Sequence, residues 1–215
     1  MRADFGATYA YLTGTGPAQP PDALVWQGGD ALPAVLSSLG GIVEAARRGA
    51  FGTALSPGEL NNVLDRALAI LRTIGAPARE RLVQALGHPA PVVRTFAAHY
   101  LGIQAIADAG AIAAVGWMFR NETDPVARHS AAVTLMMSEL TPKEVWQATA
   151  SDLRGWANGW APGWEQNAVR SGAYVWDALR YLWTFAFTYV LIGSSPSDET
   201  VAAAKRSSVA RARKV

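Results

Sequence analysis

The chain has 215 residues, half of them hydrophobic and 17% charged. That is enough apolar material for a core and too little charge for wholesale disorder. Cysteine is absent, which excludes disulfides, thiolate metal sites and cysteine nucleophiles. The formal charge of +2 is unevenly placed. Residues 196–215 hold Lys205, Arg206, Arg211, Arg213 and Lys214 against Asp198 and Glu199, five cations against two anions, which leaves residues 1–195 at about −1. A groove that tracks phosphates carries its charge in the body rather than in a tail, so nucleic acid is disfavoured as a partner.

Residues 1–6 contain no apolar run, so no secretory signal is expected. Residues 1–29 are rich in Gly, Pro, Ala and Thr, and such dense turn punctuation predicts an extended arm. Tyr9, Tyr11 and Trp26 would then be anchors on a partner or on the body of the chain. A first helix is predicted from a cap at Asp30 to about Arg48, weakened in its middle by Gly40 and Gly41. Ser56-Pro57-Gly58-Glu59 reads as a capping box with proline at the first helical position. The helix it opens carries the stripe Leu60, Val63, Leu64, Ala67, Leu68, Ile70 and Leu71 and stops at Gly75. Further helices are predicted over about 78–86, 91–109, 111–120 and 125–140. Thr141-Pro142-Lys143-Glu144 reads as a second capping box, opening a helix to about residue 153.

Two of these helices begin with near-copies. Residues 91–101 read P-V-V-R-T-F-A-A-H-Y-L and residues 125–135 read P-V-A-R-H-S-A-A-V-T-L, starting 34 residues apart. A period of this length marks stacked supersecondary units, and the paired alanines let a neighbouring helix approach closely. Together with Ala109–Val115 and Asp124-Pro125-Val126-Ala127-Arg128, the pattern resembles the armadillo/HEAT superfamily over about residues 78–140. The resemblance implies a short right-handed array of helix pairs serving as a binding scaffold. Arg94 and Arg128 hold equivalent places in the first turn of each copy, where the helix dipole disfavours a cation. A compensating carboxylate is therefore expected, Asp124 for Arg128 or one from the adjacent unit, giving a ladder of ion pairs between repeats. The alternative is that both arginines grip an acidic partner or a phosphate.

Beyond the repeats, residues 154–164 contain Gly-Trp three times at a spacing of four. With Pro162 they predict a connector, on which Trp156, Trp160 and Trp164 are partly exposed partner contacts. Trp176 and Trp183, seven apart on a helix, are the expected core pair. Residues 165–192 read as one long helix or two joined near Gly172. Its segment 181–193 is uncharged, but spanning a bilayer needs about 20 apolar residues, and Asp177 and Arg180 cut the run short. A buried core helix is favoured. An interfacial helix is the alternative, with Arg211, Arg213 and Lys214 on an anionic membrane surface. The tail is expected to form a short helix over about 199–205.

His88, His99 and His129 show no metal-binding spacing, and no P-loop, G-x-S-x-G or G-x-G-x-x-G is present. No catalytic, metal or cofactor residue is assigned. HEAT-like DNA glycosylases use aromatic side chains and an aspartate, for which Asp152 and Asp177 near Trp156 and Trp176 are the candidates. The neutral body counts against that reading, and for HEAT-like bilin lyases no site residue carries over. The expected fold is all-α: an extended arm (1–29), a short armadillo/HEAT-like helical repeat array (30–153), and a C-terminal helical cap. The cap comprises a Trp-rich connector with a long aromatic helix (154–195) and a basic tail (196–215). The expected function is a non-catalytic protein-binding scaffold in the cytoplasm, a structural or accessory subunit whose partners are other protein subunits. The alternatives are a peripheral membrane subunit and a HEAT-like nucleic-acid-binding protein or glycosylase.

Overall fold

The computed structural model describes residues 5–16, 20, 28–48, 55–104 and 107–213. Among them are eleven α-helices and no strand. They are α1 (Phe5–Thr13), α2 (Leu32–Arg47, entered through a 3-10 turn at Gly28–Ala31), α3 (Pro57–Ile74), α4 (Ala76–Ala85), α5 (Pro91–Gln104), α6 (Ala109–Asn121), α7 (Pro125–Met136), α8 (Lys143–Trp160), α9 (Trp164–Arg170), α10 (Val175–Ile192) and α11 (Asp198–Ala212).

Local chemistry sets most boundaries. At α3 the Glu59 amide donates to Ser56 Oγ and the Ser56 amide donates to Glu59 Oε2 at 2.7 Å, the reciprocal box its sequence predicts. Gly75 ends α3 with φ of +68°, where a side chain would be strained. Asp108 and Asp124 cap α6 and α7 by accepting from backbone amides of their first turns. The second predicted box does not form. Thr141 Oγ1 turns back to donate to Leu135 O at 2.7 Å, and Pro142 occupies the cap position of α8 without a side-chain bond.

Three other expectations are corrected. Residues 5–13 of the predicted extended arm are helical, and Gly14 (φ +78°) ends that helix instead of preventing it. Thr8, Tyr11 and Leu12 are buried as α1 packs on α2 and α3, and Arg66 Nη1 donates to Tyr11 O at 3.0 Å, capping the carbonyl end. The Gly-Trp stretch is helix through Trp160, and the break comes at Ala161-Pro162-Gly163, where Gly163 has φ of +76°. Gly155 and Gly159 face open space, so each costs only its propensity, about 1 kcal/mol, against the burial of Leu153 and Ala157. The tail helix runs fifteen residues and not a turn or two.

The core is built on the second helix of each pair. α4–α5 and α6–α7 are the helix pairs carrying the near-copies; α5 packs on α7, and α7 on α8. Ala97, Ala98, Ala131 and Ala132 are fully buried. Ser130 Oγ donates to Thr95 O at 3.0 Å and Thr134 Oγ1 to Ala98 O at 2.7 Å, so hydroxyls join adjacent repeats directly. A Cβ at Gly102 would lie 2.6 Å from Thr134 Oγ1, so this helix pair needs glycine there. Gly172 (φ +65°) separates α9 from α10, the two-helix form of the predicted long helix. α10 then crosses the array, packing against α2, α3, α7 and α8, with α11 on its other side. Leu179, Leu182, Trp183, Ala186, Phe187 and Leu191 form its buried stripe.

Candidate interaction site

The equivalent arginines take different partners. Arg94 forms a two-point ion pair with Glu122, Nε to Oε2 at 2.6 Å and Nη2 to Oε1 at 2.8 Å, and its Nη1 donates to His88 O and Pro89 O. Burial pushes the Glu122 carboxyl up, but the Arg94 fork and the Thr123 and Asp124 amides outweigh it and leave it below its ordinary value. Arg128 does not pair with Asp124, whose carboxylate is taken by the α7 amides. Its Nε lies 3.3 Å from Asp152 Oδ1 on α8, and its guanidinium sits over the Phe119 ring at 4.8 Å. Both arginines therefore bridge neighbouring elements.

The tryptophans of the α8 stretch are drawn inward. Trp164 is 2% exposed and donates from Nε1 to Asn158 Oδ1 at 3.2 Å. Trp156 and Trp160 are half-buried and stack on each other at 5.9 Å. Trp156 meets the buried Trp183 edge to face at 4.9 Å. The expected core pair divides: Trp183 is buried, whereas Trp176 is half-buried, in a T-shaped contact with Trp146 and under the Arg154 guanidinium. Four aromatic groups meet where α10 lies on the array. Phe187 stacks on His99 of α5 at 4.4 Å, and Trp183 takes His129 of α7 edge on at 5.5 Å. Desolvation lowers the His99 pKa to about 4, although part of the residue still touches solvent. His129 is also lowered, desolvation outweighing the Asp152 carboxylate 3.4 Å away. Both imidazoles are neutral at pH 7. Asp152 is held by Arg128 beside neutral His129, and Asp177 by Arg180 at 3.2 Å, so neither candidate aspartate faces an open site.

Two cations of the tail are structural. Arg213 Nε donates to Ser171 O at the end of α9, and Lys205 Nζ to Pro162 O at 2.5 Å. From the other end of the chain, Arg47 Nε donates to Leu191 O at 2.6 Å and caps α10. Arg206 and Arg211 are exposed and make no ion pair or hydrogen bond among the described residues, and Arg211 lies over the Tyr181 ring at 5.8 Å. Tyr9 is half-buried against the core, and Tyr11 is 4% exposed, so the latter is no surface anchor. Trp26 and Lys214 lie outside the described residues.

The exposed tryptophan is one the sequence reading passed over. Trp117 is 59% exposed on α6, the one tryptophan among the described residues left largely in solvent. It borders a cleft of about 260 Å³ between repeats, with His88, Pro89, Asn121 and Thr123 on the other walls. Helical periodicity could have found it. The buried stripe of α6 is Ala111, Ile112, Val115, Met118 and Phe119, and Trp117 lies on the opposite face with Ala113 and Arg120. No group of three or more potential metal ligands occurs among the described residues, nor any helix long and apolar enough to cross a membrane.

Residues 50–136 match the family model of HEAT repeats. No curated protein and no solved structure matches the chain. The matched segment contains α3 to α7, the same helices whose near-copies, buried alanine pairs and stacked second helices form the spine of the molecule. Residues 50–136 thus form a HEAT/armadillo-like helical repeat array, an architecture that generally serves protein interaction rather than catalysis.

Proposed function

We propose that the chain is a non-catalytic protein-binding scaffold, a structural or accessory subunit of a larger assembly, and that it engages its partner through the Trp117 ridge. The observation that carries this reading is the exposure of Trp117 in a molecule that folds its other described tryptophans at least partly into the core. A large rigid aromatic left in solvent beside an inter-repeat cleft is the surface chemistry that dominates interface energies. The repeat array supports it, since its second helices are consumed in stacking while the outer face of α6 stays open.

The test is affinity purification of the full chain and of Trp117→Ala from the native source, with quantitative mass spectrometry. The wild-type chain is expected to retain a near-stoichiometric protein subunit, and the variant to lose it by about tenfold or more with an unchanged melting temperature. A wild-type chain that purifies alone, or a variant that keeps its subunit, overturns the reading.

A further inference from the structure

A second feature of the surface is independent of the Trp117 ridge. Where α10 and α11 meet the start of α3 there is a cleft of about 390 Å³. That volume falls in the range of small-molecule sites, not of protein interfaces. Its walls come from Tyr181, Thr184, Phe185, Thr188 and Tyr189 of α10, from Ser207, Ser208 and Arg211 of α11, and from Pro57, Gly58 and Asn61 of α3. No acidic side chain lines it.

Three observations give the cleft a chemistry. Arg211 is the sole charge among its lining residues, lies over the Tyr181 ring at 5.8 Å and holds no carboxylate or carbonyl. Thr188 is 3% exposed, yet its hydroxyl makes no hydrogen bond among the described residues. Thr184, one turn earlier, donates back to Arg180 O at 3.1 Å, and Ser208 donates to Lys205 O at 2.9 Å. The Thr188 oxygen is not sealed from solvent, so it opens on the cleft and is free to bond an occupant there. Finally, the Phe185 and Tyr189 rings lie nearly parallel, 9° apart with centroids at 6.4 Å, and both border the cleft.

We propose that this cleft binds a small aromatic carboxylate, with the carboxylate on Arg211 and the Thr188 hydroxyl and the ring against Phe185 and Tyr189. An acid satisfies the unpaired guanidinium through a charge-assisted, two-point contact. A planar body suits the parallel rings, for which stacking is favourable. A cationic ligand would meet Arg211 with no counter-charge, and a purely apolar one would leave Thr188 and Arg211 unpaired.

Isothermal titration of the full chain with naphthalene-2-carboxylate, and with its neutral twin naphthalene-2-carboxamide, tests the assignment. The acid is expected to bind and the amide to bind about tenfold more weakly, the difference a charged hydrogen bond makes. Arg211→Gln, at an exposed position, should erase that preference while leaving the melting temperature unchanged. Thr188→Val, which keeps the buried volume, should weaken the acid by about fivefold. Failure of the acid to bind at millimolar concentration, equal binding of acid and amide, or wild-type affinity in both variants overturns the proposal. None of these outcomes bears on the Trp117 ridge, which lies on a different element.

Discussion

At the scale of single residues, Arg94 and Arg128 show how equal sequence positions acquire unequal weight. Arg94 is 16% exposed and its partner Glu122 only 3%, with two short bonds between them. Removing the cation leaves a carboxylate buried with only backbone amides for company, and breaking a buried pair of this kind costs about 3–5 kcal/mol. Arg128 is 39% exposed, and its 3.3 Å approach to Asp152 is looser, so its loss belongs with surface pairs worth about 1 kcal/mol or less. Thermal unfolding of the two alanine variants checks this. Arg94→Ala is expected to lower the melting temperature severalfold more than Arg128→Ala. Equal, small shifts would show that the Arg94–Glu122 pair contributes little to holding the repeats together.

At the scale of elements, the sequence makes the repeats legible because their signals are local. Pro at the first helical position, a capping Asp124, paired alanines and a 34-residue period each act within one turn of helix or between equivalent turns. The same locality misleads at both ends of the chain. Gly14 and Gly16 lower the average propensity of the arm, but they stand after the helix and not within it. Gly155 and Gly159 do stand within α8, and there tertiary burial of Leu153 and Ala157 overrides propensity. Arg128 takes the second of its two predicted partners, a carboxylate of the adjacent unit, because the first-turn amides of α7 already hold Asp124. The docking of α10 on the array also has a consequence for pH. His99, stacked on Phe187, has its pKa lowered from 6.5 to about 4 by desolvation. Below pH 6.5 the unfolded chain therefore binds a proton that the folded chain refuses. Stability is at its full value above that pH and falls as the pH drops toward 4, by about 1.4 kcal/mol per unit. Replacing His99 by Phe keeps a ring on Phe187 and removes the proton. Urea midpoints measured between pH 7 and 4.5 should fall less steeply in His99→Phe than in the wild-type chain. Parallel slopes would place the acid sensitivity elsewhere.

At the scale of the molecule, α10 changes what kind of object the array is. Stacked repeats contact only their neighbours, so their unfolding tends to split into steps. Here α10 touches α2 and α3 near one end of the array and α7 and α8 near the other. Arg47 of α2 caps its carbonyl end, and α11 lies along it, fastened to the α9 terminus through Arg213. Contacts of such long sequence separation couple the ends, so the wild-type chain should unfold in urea as one transition, with circular dichroism and tryptophan fluorescence coincident. Trp183 is the pivot: 1% exposed, it meets His129 and Trp156 from two different elements. Truncating it to alanine removes a large buried ring, at a cost of about 3–5 kcal/mol, and loosens α10 from α7 and α8 together. The expected result is a separation of the two probes, fluorescence from the aromatic junction changing at lower urea than the helix signal of the repeats. If Trp183→Ala shifts both curves equally and keeps them superimposed, the repeats hold together through their own stack, and α10 is a cover rather than a clamp.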